Sequence, residues 1–82
     1  MLNESKQTYK AESVSEHVYG LLYEKILSGE WPVDSKIPNE FDLCDAFGAS
    51  RISVRSAIQR LISMGMLEVK RGDGTYVKSF SL

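Results

Sequence analysis

Two arginines, Arg51 and Arg55, lie one helical turn apart at the start of a predicted helix. A planar guanidinium can donate two hydrogen bonds at once, a geometry that fits O6 and N7 of guanine. Between them, Ile52 is a large apolar residue on the polar face of the same helix. It can contact a thymine methyl group or, alternatively, pack back on the preceding helix. This pattern predicts a helix that reads base edges in the major groove.

Shorter donors and a second basic segment accompany the arginines. Ser50 and Ser53 can reach phosphates, and Gln59 continues the polar face of the helix. Further along the chain, Lys70 and Arg71 stand beside a glycine in a predicted hairpin tip, which is thin enough to approach a minor groove. The candidate DNA-binding residues are Ser50, Arg51, Ile52, Ser53, Arg55, Gln59, Lys70, Arg71 and Gly72.

The charge is unevenly distributed along the chain. The formal net charge is only −1, but residues 1–47 hold four lysines and nine acidic side chains, whereas residues 48–82 hold six basic and two acidic ones. Such asymmetry favours a polyanionic partner that meets one face of the protein. A solvated charged surface without a partner is the alternative.

Three helices must position these side chains. Apolar spacing and capping residues predict the first helix at about 13–28, with a capping box formed by Ser13 and Glu16. The second, at about 39–47, begins at Asn39 and ends at Gly48, and the third spans about 50–64. We expect residues 1–12, which are polar and aperiodic, to form a flexible N-terminal arm.

After the helices the hydrophobic period changes to two residues. Strands are predicted at about 66–70 and 75–80, and Asp73-Gly74 is predicted to form the turn because both residues can adopt positive φ. The resulting fold class is mainly α with a small β-hairpin, a three-helix winged helix-turn-helix domain at 13–80.

Other kinds of chemistry have little support. Cys44 is the only cysteine and His17 the only histidine, so no disulfide framework, metal site or catalytic constellation is expected. The 82 residues allow one small domain. No apolar segment approaches the roughly 18 residues of a membrane span. We expect a cytoplasmic domain that is not an enzyme and needs no cofactor.

The same residues resemble the N-terminal winged-helix domain of the GntR family of bacterial transcription regulators, over about residues 14–78. The matching segments are Ile26-Leu27-Ser28-Gly29-Glu30, Ile37-Pro38-Asn39-Glu40, Leu43, Phe47-Gly48-Ala49-Ser50-Arg51-Ile52-Ser53-Val54-Arg55-Ser56-Ala57-Ile58, Arg60-Leu61, Gly65-Met66-Leu67 and Gly72-Asp73-Gly74-Thr75-Tyr76-Val77. Each segment alone is weak evidence, but together they are specific.

This resemblance implies binding to a double-stranded, pseudo-palindromic operator, usually as a homodimer, by a metabolite-responsive repressor. Family contacts map onto Ser50, Arg51, Ile52, Ser53 and Arg55 of the recognition helix, and onto Lys70, Arg71 and Gly72 of the wing. Family members normally carry a C-terminal effector-binding domain. We expect that domain, and with it any small-molecule effector, to be absent from this chain.

The sequence departs from the family pattern at two places. Phe41 stands where the family commonly has an arginine that contacts DNA, so no charged contact is available there. Pro32-Val33 replaces the usual Pro-Gly. An alternative function is a winged helix that binds proteins rather than DNA, through an apolar patch formed by Phe41 and Ile52.

Overall fold

The structure is a computed structural model that describes residues 2–80, with side chains from residue 14 onwards. Its elements are α1 (Leu2–Leu27), α2 (Glu40–Phe47), α3 (Arg51–Ser63), β1 (Leu67–Lys70) and β2 (Gly74–Val77). The two strands pair antiparallel, with Leu67 opposite Val77 and Lys70 opposite Gly74. The expected fold class, a three-helix winged helix-turn-helix with a small hairpin, is confirmed.

Helix α1 starts at Leu2, well before the predicted start at Ser13. The expectation that residues 1–12 form an arm outside the helix is therefore wrong for the backbone of residues 2–12. The physical reason is composition, because this stretch lacks glycine and proline and is rich in good helix formers. The C-terminal end agrees with the sequence, since Gly29 adopts a φ of 81° directly after the last turn.

Local capping fixes the joint between α2 and α3, as the sequence predicted. The Asn39 side chain accepts a hydrogen bond of 2.8 Å from the Asp42 amide at the start of α2. Gly48 ends α2 in the left-handed conformation, with φ 61°. Ser50 then caps α3 by accepting a bond of 3.2 Å from the Ser53 amide. The two caps set the angle at which α3 leaves α2.

The hairpin turn differs from the sequence prediction. The Asp73 amide donates to the Lys70 carbonyl at 2.9 Å, and Gly72 alone in this turn has a positive φ, of 76°. Gly74 belongs to β2 instead. A turn of this kind needs its positive φ at the third residue, so Gly72 rather than Asp73-Gly74 supplies it. A Cβ at Gly74 would lie 2.5 Å from Cε of Lys36, the flexible end of a side chain that can move away, so space does not demand glycine there.

The connector between α1 and α2 supplies a third partial strand beside β2. The Ile37 amide donates to the Thr75 carbonyl at 2.9 Å, and the Val77 amide donates to the Ser35 carbonyl at 2.9 Å. The outer edge of the hairpin is thus paired over part of its length, which restricts how the wing can move.

One hydrophobic core joins all these elements. Leu22 of α1 and Leu61 of α3 are fully buried in it. Its other buried members are Val18, Ile26, Ile37, Leu43, Val54, Ala57, Met66, Leu67 and Val77. Burying one such leucine contributes roughly 1.5–3 kcal/mol. Because the wing residues share this core with α3, the wing is held at a fixed position relative to the third helix. Across residues 2–80, no helix has the length and apolar character needed to cross a membrane.

Candidate nucleic-acid interface

A single carboxylate joins the two arginines at the start of α3. Nε of Arg51 lies 2.8 Å from Oε1 of Glu40, and Nε of Arg55 lies 2.7 Å from Oε2 of the same residue. Glu40 is the first residue of α2 and is half-buried, whereas the arginine side chains are 69% and 65% exposed. In both bonds the donor is Nε–H, so the terminal NH₂ groups of these largely exposed side chains keep donors for a ligand.

The electrostatics of this cluster agree with its geometry. Hydrogen bonds from Arg51 and then from Arg55 lower the pKa of Glu40, which therefore stays ionised. The hydrogen bond to Glu40 likewise raises the pKa of Arg51. The cluster holds two positive charges and one negative charge. Glu40 was not among the predicted site residues, because its contacts with the arginines join two helices and no spacing rule within one helix shows them.

Two large apolar side chains stand next to this cluster. Ile52 is 81% exposed and Phe41 is 78% exposed. Each directly follows a member of the cluster, Arg51 and Glu40 respectively. The alternative in which Ile52 packs back on α2 is therefore wrong. Isolated apolar residues on a surface are common, but two beside a charged cluster are typical of a binding site.

The two serines occupy different environments. Ser50 is exposed, and its hydroxyl donates to Oγ of Ser53 at 3.2 Å. Ser53 is only 8% exposed. It lies on the side of α3 that also carries buried Val54 and Ala57. The structure therefore separates Ser53 from the exposed candidates, because its helical position turns it towards the protein. Its hydroxyl steadies Ser50 instead of lying open to a ligand.

The wing presents the predicted basic residues on its surface. Lys70, Arg71 and Gly72 are all exposed, and Nζ of Lys70 lies 4.4 Å from the centre of the Tyr76 ring. Next to them, Asp73 accepts a hydrogen bond of 2.7 Å from the Tyr76 hydroxyl and forms a 3.1 Å ion pair with Lys36. These contacts hold the tip of the wing.

The wing-tip contacts also shift two pKa values. The hydrogen bond from Tyr76, and then that from Lys36, lower the pKa of Asp73. The same hydrogen bond raises the pKa of Tyr76, because the bonded phenol is harder to deprotonate.

An open groove of about 900 Å³ runs between α3 and the wing. Arg55 and Gln59 of α3 line one side, and Val69 and Thr75 of the hairpin line the other. Gln59 is exposed. The groove thus joins Glu40, Arg55 and Gln59 to one face of the hairpin, and its lining does not include Lys70, Arg71 or Gly72.

The remaining polar groups considered from the sequence lie outside this surface. Arg60 forms an ion pair with Glu16 and stacks 3.9 Å from the ring centre of Tyr19, on the side of α1. His17 is exposed on α1, and Cys44 is half-buried in α2. Among the described side chains, no group of three or more histidine, cysteine or acidic residues could hold a metal ion.

Three helices, a capped joint before the third and a hairpin packed beside it define a winged helix-turn-helix domain. Residues 14–77 match the profile of the family described as "Bacterial regulatory proteins, gntR family". The chain belongs to this family.

Individual relatives agree with this assignment. The chain is 38% identical over 74 residues to the HTH-type transcriptional regulator Mce2R of Mycobacterium tuberculosis (strain CDC 1551 / Oshkosh), covering 90% of this chain and 31% of that protein. It is 40% identical over 57 residues to the HTH-type transcriptional regulator LutR of Bacillus subtilis (strain 168), covering 70% and 26%. The chain thus spans about a third or less of the length of these curated relatives.

Solved structures show the same fold. The crystal structure of AraR(DBD) in complex with operator ORX1 matches with a TM-score of 0.75 and 38% identity, over 78% of this chain and 77% of that one. Streptococcus agalactiae GntR matches with a TM-score of 0.71 and 37% identity, over 79% and 32%.

Proposed function

We propose that this chain binds a specific double-stranded operator as the DNA-binding domain of a transcription regulator. The observation that carries the proposal is the exposed pair Arg51 and Arg55 at the start of α3, of which Arg55 lines the groove beside the hairpin. A helix of this width fits the major groove of B-DNA. The AraR domain that matches this chain was solved in complex with an operator, which supports a DNA partner here.

In this proposal each part of the surface has a separate task. Arg51 and Arg55 donate to guanine edges, each good bidentate pair being worth roughly 1–3 kcal/mol of discrimination. Ile52 contacts a thymine methyl group, and Gln59 extends the recognition surface along α3. Ser50 binds a phosphate at the helix N-terminus, and Ser53 acts only through Ser50.

The wing would act at the neighbouring minor groove. Lys70 and Arg71 neutralise phosphates there, and Gly72 keeps the tip thin enough to enter.

The complete regulator is expected to do more than this chain alone. By analogy with relatives of which the chain matches about a third, we propose a cytoplasmic homodimeric repressor that reads two half-sites of a pseudo-palindrome. A metabolite effector would act through a further domain. No catalytic step belongs to this role, and the relatives are named as transcriptional regulators.

A selection from randomised duplexes, followed by salt titrations on the selected and a scrambled duplex, tests the proposal. We expect a preferred sequence and a steep loss of affinity with salt. Arg51→Ala should weaken binding to the selected duplex by about 5- to 150-fold, which corresponds to roughly 1–3 kcal/mol. Arg60→Ala is the matched control, because it removes the same charge on the α1 side of α3. Two copies of the chain fused as a dimer can reach both half-sites of an operator. Equal binding of the selected and the scrambled duplex by this dimer would contradict the proposal.

A second candidate function is protein binding without DNA binding. It is favoured by the exposure of Phe41 and Ile52 together with exposed Asp42 and Asp45 on α2, a surface suited to a basic partner. An apolar contact of this kind depends weakly on salt, whereas DNA binding depends on it steeply. Because contacts of Asp42 and Asp45 with a basic partner also weaken with salt, the two functions are separated by whether the chain binds the selected duplex at all.

A further inference from the structure

We propose that Glu40 determines the specificity of the arginine pair, by fixing the direction of both guanidinium groups and by cancelling one of their two charges. This inference rests on the proposed function, since it concerns how the same surface distinguishes an operator from other DNA. Glu40 has no hydrogen-bond donor for DNA in its side chain, yet it affects how well the chain discriminates between DNA sequences.

Glu40 fixes the direction of both guanidinium groups through its two oxygens. The two oxygens of Glu40 each accept from a different Nε, at 2.8 Å from Arg51 and 2.7 Å from Arg55. The edge of each guanidinium that carries Nε is therefore turned towards α2. The end of each fork, with its two NH₂ groups, is left for a ligand, and such a fork fits the two acceptors of guanine.

Glu40 also restricts both arginine side chains before DNA binds. Glu40 begins α2, which is fixed by its Asn39 cap, and is less exposed than either arginine. A long side chain that is already held in one direction loses less rotamer freedom when it binds. Glu40 therefore prepares the arginines for the arrangement of acceptors that one base sequence offers.

Glu40 also lowers the positive charge of this surface. Affinity for any duplex, whatever its sequence, rises with the number of phosphates that a protein neutralises. Two free arginines would add two positive charges to this surface, whereas the cluster with Glu40 adds only one. The carboxylate thus weakens binding to arbitrary DNA. The carboxylate lowers affinity for the operator by a smaller factor, because there the free ends of the guanidinium groups form hydrogen bonds to bases.

The ion pair of Glu16 with Arg60 offers a matched comparison. It also joins an exposed carboxylate to an arginine of α3, but on the side of α1 and over the ring of Tyr19. Glu16→Gln and Glu40→Gln change the net charge of the chain equally. A difference between their DNA affinities therefore depends on where the carboxylate lies and not on the net charge.

The experiment compares the 82-residue chain with its Glu40→Gln, Glu40→Asp and Glu16→Gln variants. Dissociation constants for the selected operator and a scrambled duplex are measured at several salt concentrations, together with the melting temperature. For Glu40→Gln we expect tighter binding to scrambled DNA, a salt slope steeper by about 0.9, and a specificity ratio about 10-fold lower. Glu40→Asp should keep the slope and lower the ratio, because its shorter side chain cannot reach both Nε atoms.

Glu16→Gln should leave the specificity ratio unchanged. The inference is overturned if Glu40→Gln shifts operator and scrambled binding by the same factor, since Glu40 then has only a structural effect. If Glu40→Gln does not fold, an unchanged ratio for Glu40→Asp overturns it equally. Failure of the proposed function gives a different result, which the unsubstituted chain already shows. That chain would then bind the selected and the scrambled duplex equally.

Discussion

Nζ of Lys36 lies 3.1 Å from Oδ1 of Asp73, so the connector before α2 is tied to the turn of the wing. The other carboxylate oxygen accepts a 2.7 Å hydrogen bond from the Tyr76 hydroxyl. Backbone bonds between residues 34–37 and β2 act in the same direction. A wing held in this way can bring Lys70 and Arg71 to a duplex without first becoming ordered, which lowers the entropic cost of binding.

The pH dependence of stability should reveal this contact. Asp73 has a lowered pKa, so its contribution is present above the usual value of 3.8 and is lost as the pH falls through the folded-state value. Tyr76 has a raised pKa, so its contribution is complete below the usual value of 10.0 and is lost as the pH rises through the folded-state value.

Asp73→Asn should therefore flatten the dependence of unfolding free energy on pH at both ends, below about pH 4 and above about pH 10. Urea unfolding of both proteins from pH 2 to 11 measures this. The difference between the two curves is the relevant quantity, since Glu40 also has a lowered pKa and contributes to the acid limb of each. Parallel curves would contradict the role given to Asp73.

Lys70 should contribute affinity without sequence information. Its ammonium group lies over the Tyr76 ring on the exposed wing, where it can meet a phosphate but has no fork for a base. We expect Lys70→Ala to weaken binding to selected and scrambled duplexes by similar factors and to reduce the salt slope by about one. Lys25→Ala is the control, because Lys25 lies near Trp31 and pairs with Glu30 on another part of the surface. A loss confined to the selected duplex would show that Lys70 reads bases.

Local rules predicted the parts of the fold that depend on neighbouring residues. The caps at Asn39 and Ser50 and the helix end at Gly48 follow from the side chains at those positions alone. The predicted start of α1 at Ser13 was wrong, because the residues of a capping box are also compatible with the middle of a longer helix. The predicted turn at Asp73-Gly74 was wrong because Gly72 and Gly74 both permit a turn, and only the register of β2 against β1 decides between them.

The candidate site could be predicted only in part for a similar reason. Exposure of Ile52 follows from the helical period, but the burial of Ser53 depends on how α3 packs in the folded domain. The contacts of Glu40 with Arg51 and Arg55 join residues 11 and 15 positions apart on different helices. No periodicity encodes such a distance, so the tertiary arrangement had to be known first.

Ile52 should discriminate thymine from uracil. Its side chain is exposed beside Arg51, where a C5 methyl group in the major groove can pack against it. Replacing the contacted thymine of the selected operator by uracil removes only that methyl group, and should cost about 0.8 kcal/mol. With Ile52→Ala the same replacement should cost almost nothing, so the two changes are not additive. Additive losses, measured by titration of all four combinations, would place Ile52 away from every thymine methyl group.

Asp34 is the one residue other than glycine with a positive φ, 72°, among residues 2–80. It is the third residue of a turn in which the Ser35 amide donates to the Pro32 carbonyl at 3.0 Å. The left-handed conformation costs an ordinary residue roughly 1–2 kcal/mol, and glycine avoids this cost but loses about 0.5–1 kcal/mol in chain entropy. Asp34→Gly should therefore stabilise the chain by about 0.5 kcal/mol.

The preceding residue supplies the control for that substitution. Val33 has no positive φ and is 48% exposed, so Val33→Gly loses side-chain packing besides chain entropy and should destabilise the chain by at least about 0.5–1 kcal/mol. Thermal unfolding distinguishes the two, since 1 kcal/mol corresponds to about 4–8 °C in a domain of this size. A melting temperature that falls for both variants would mean that the aspartate side chain relieves its own strain through local hydrogen bonds, as short polar residues can in this conformation.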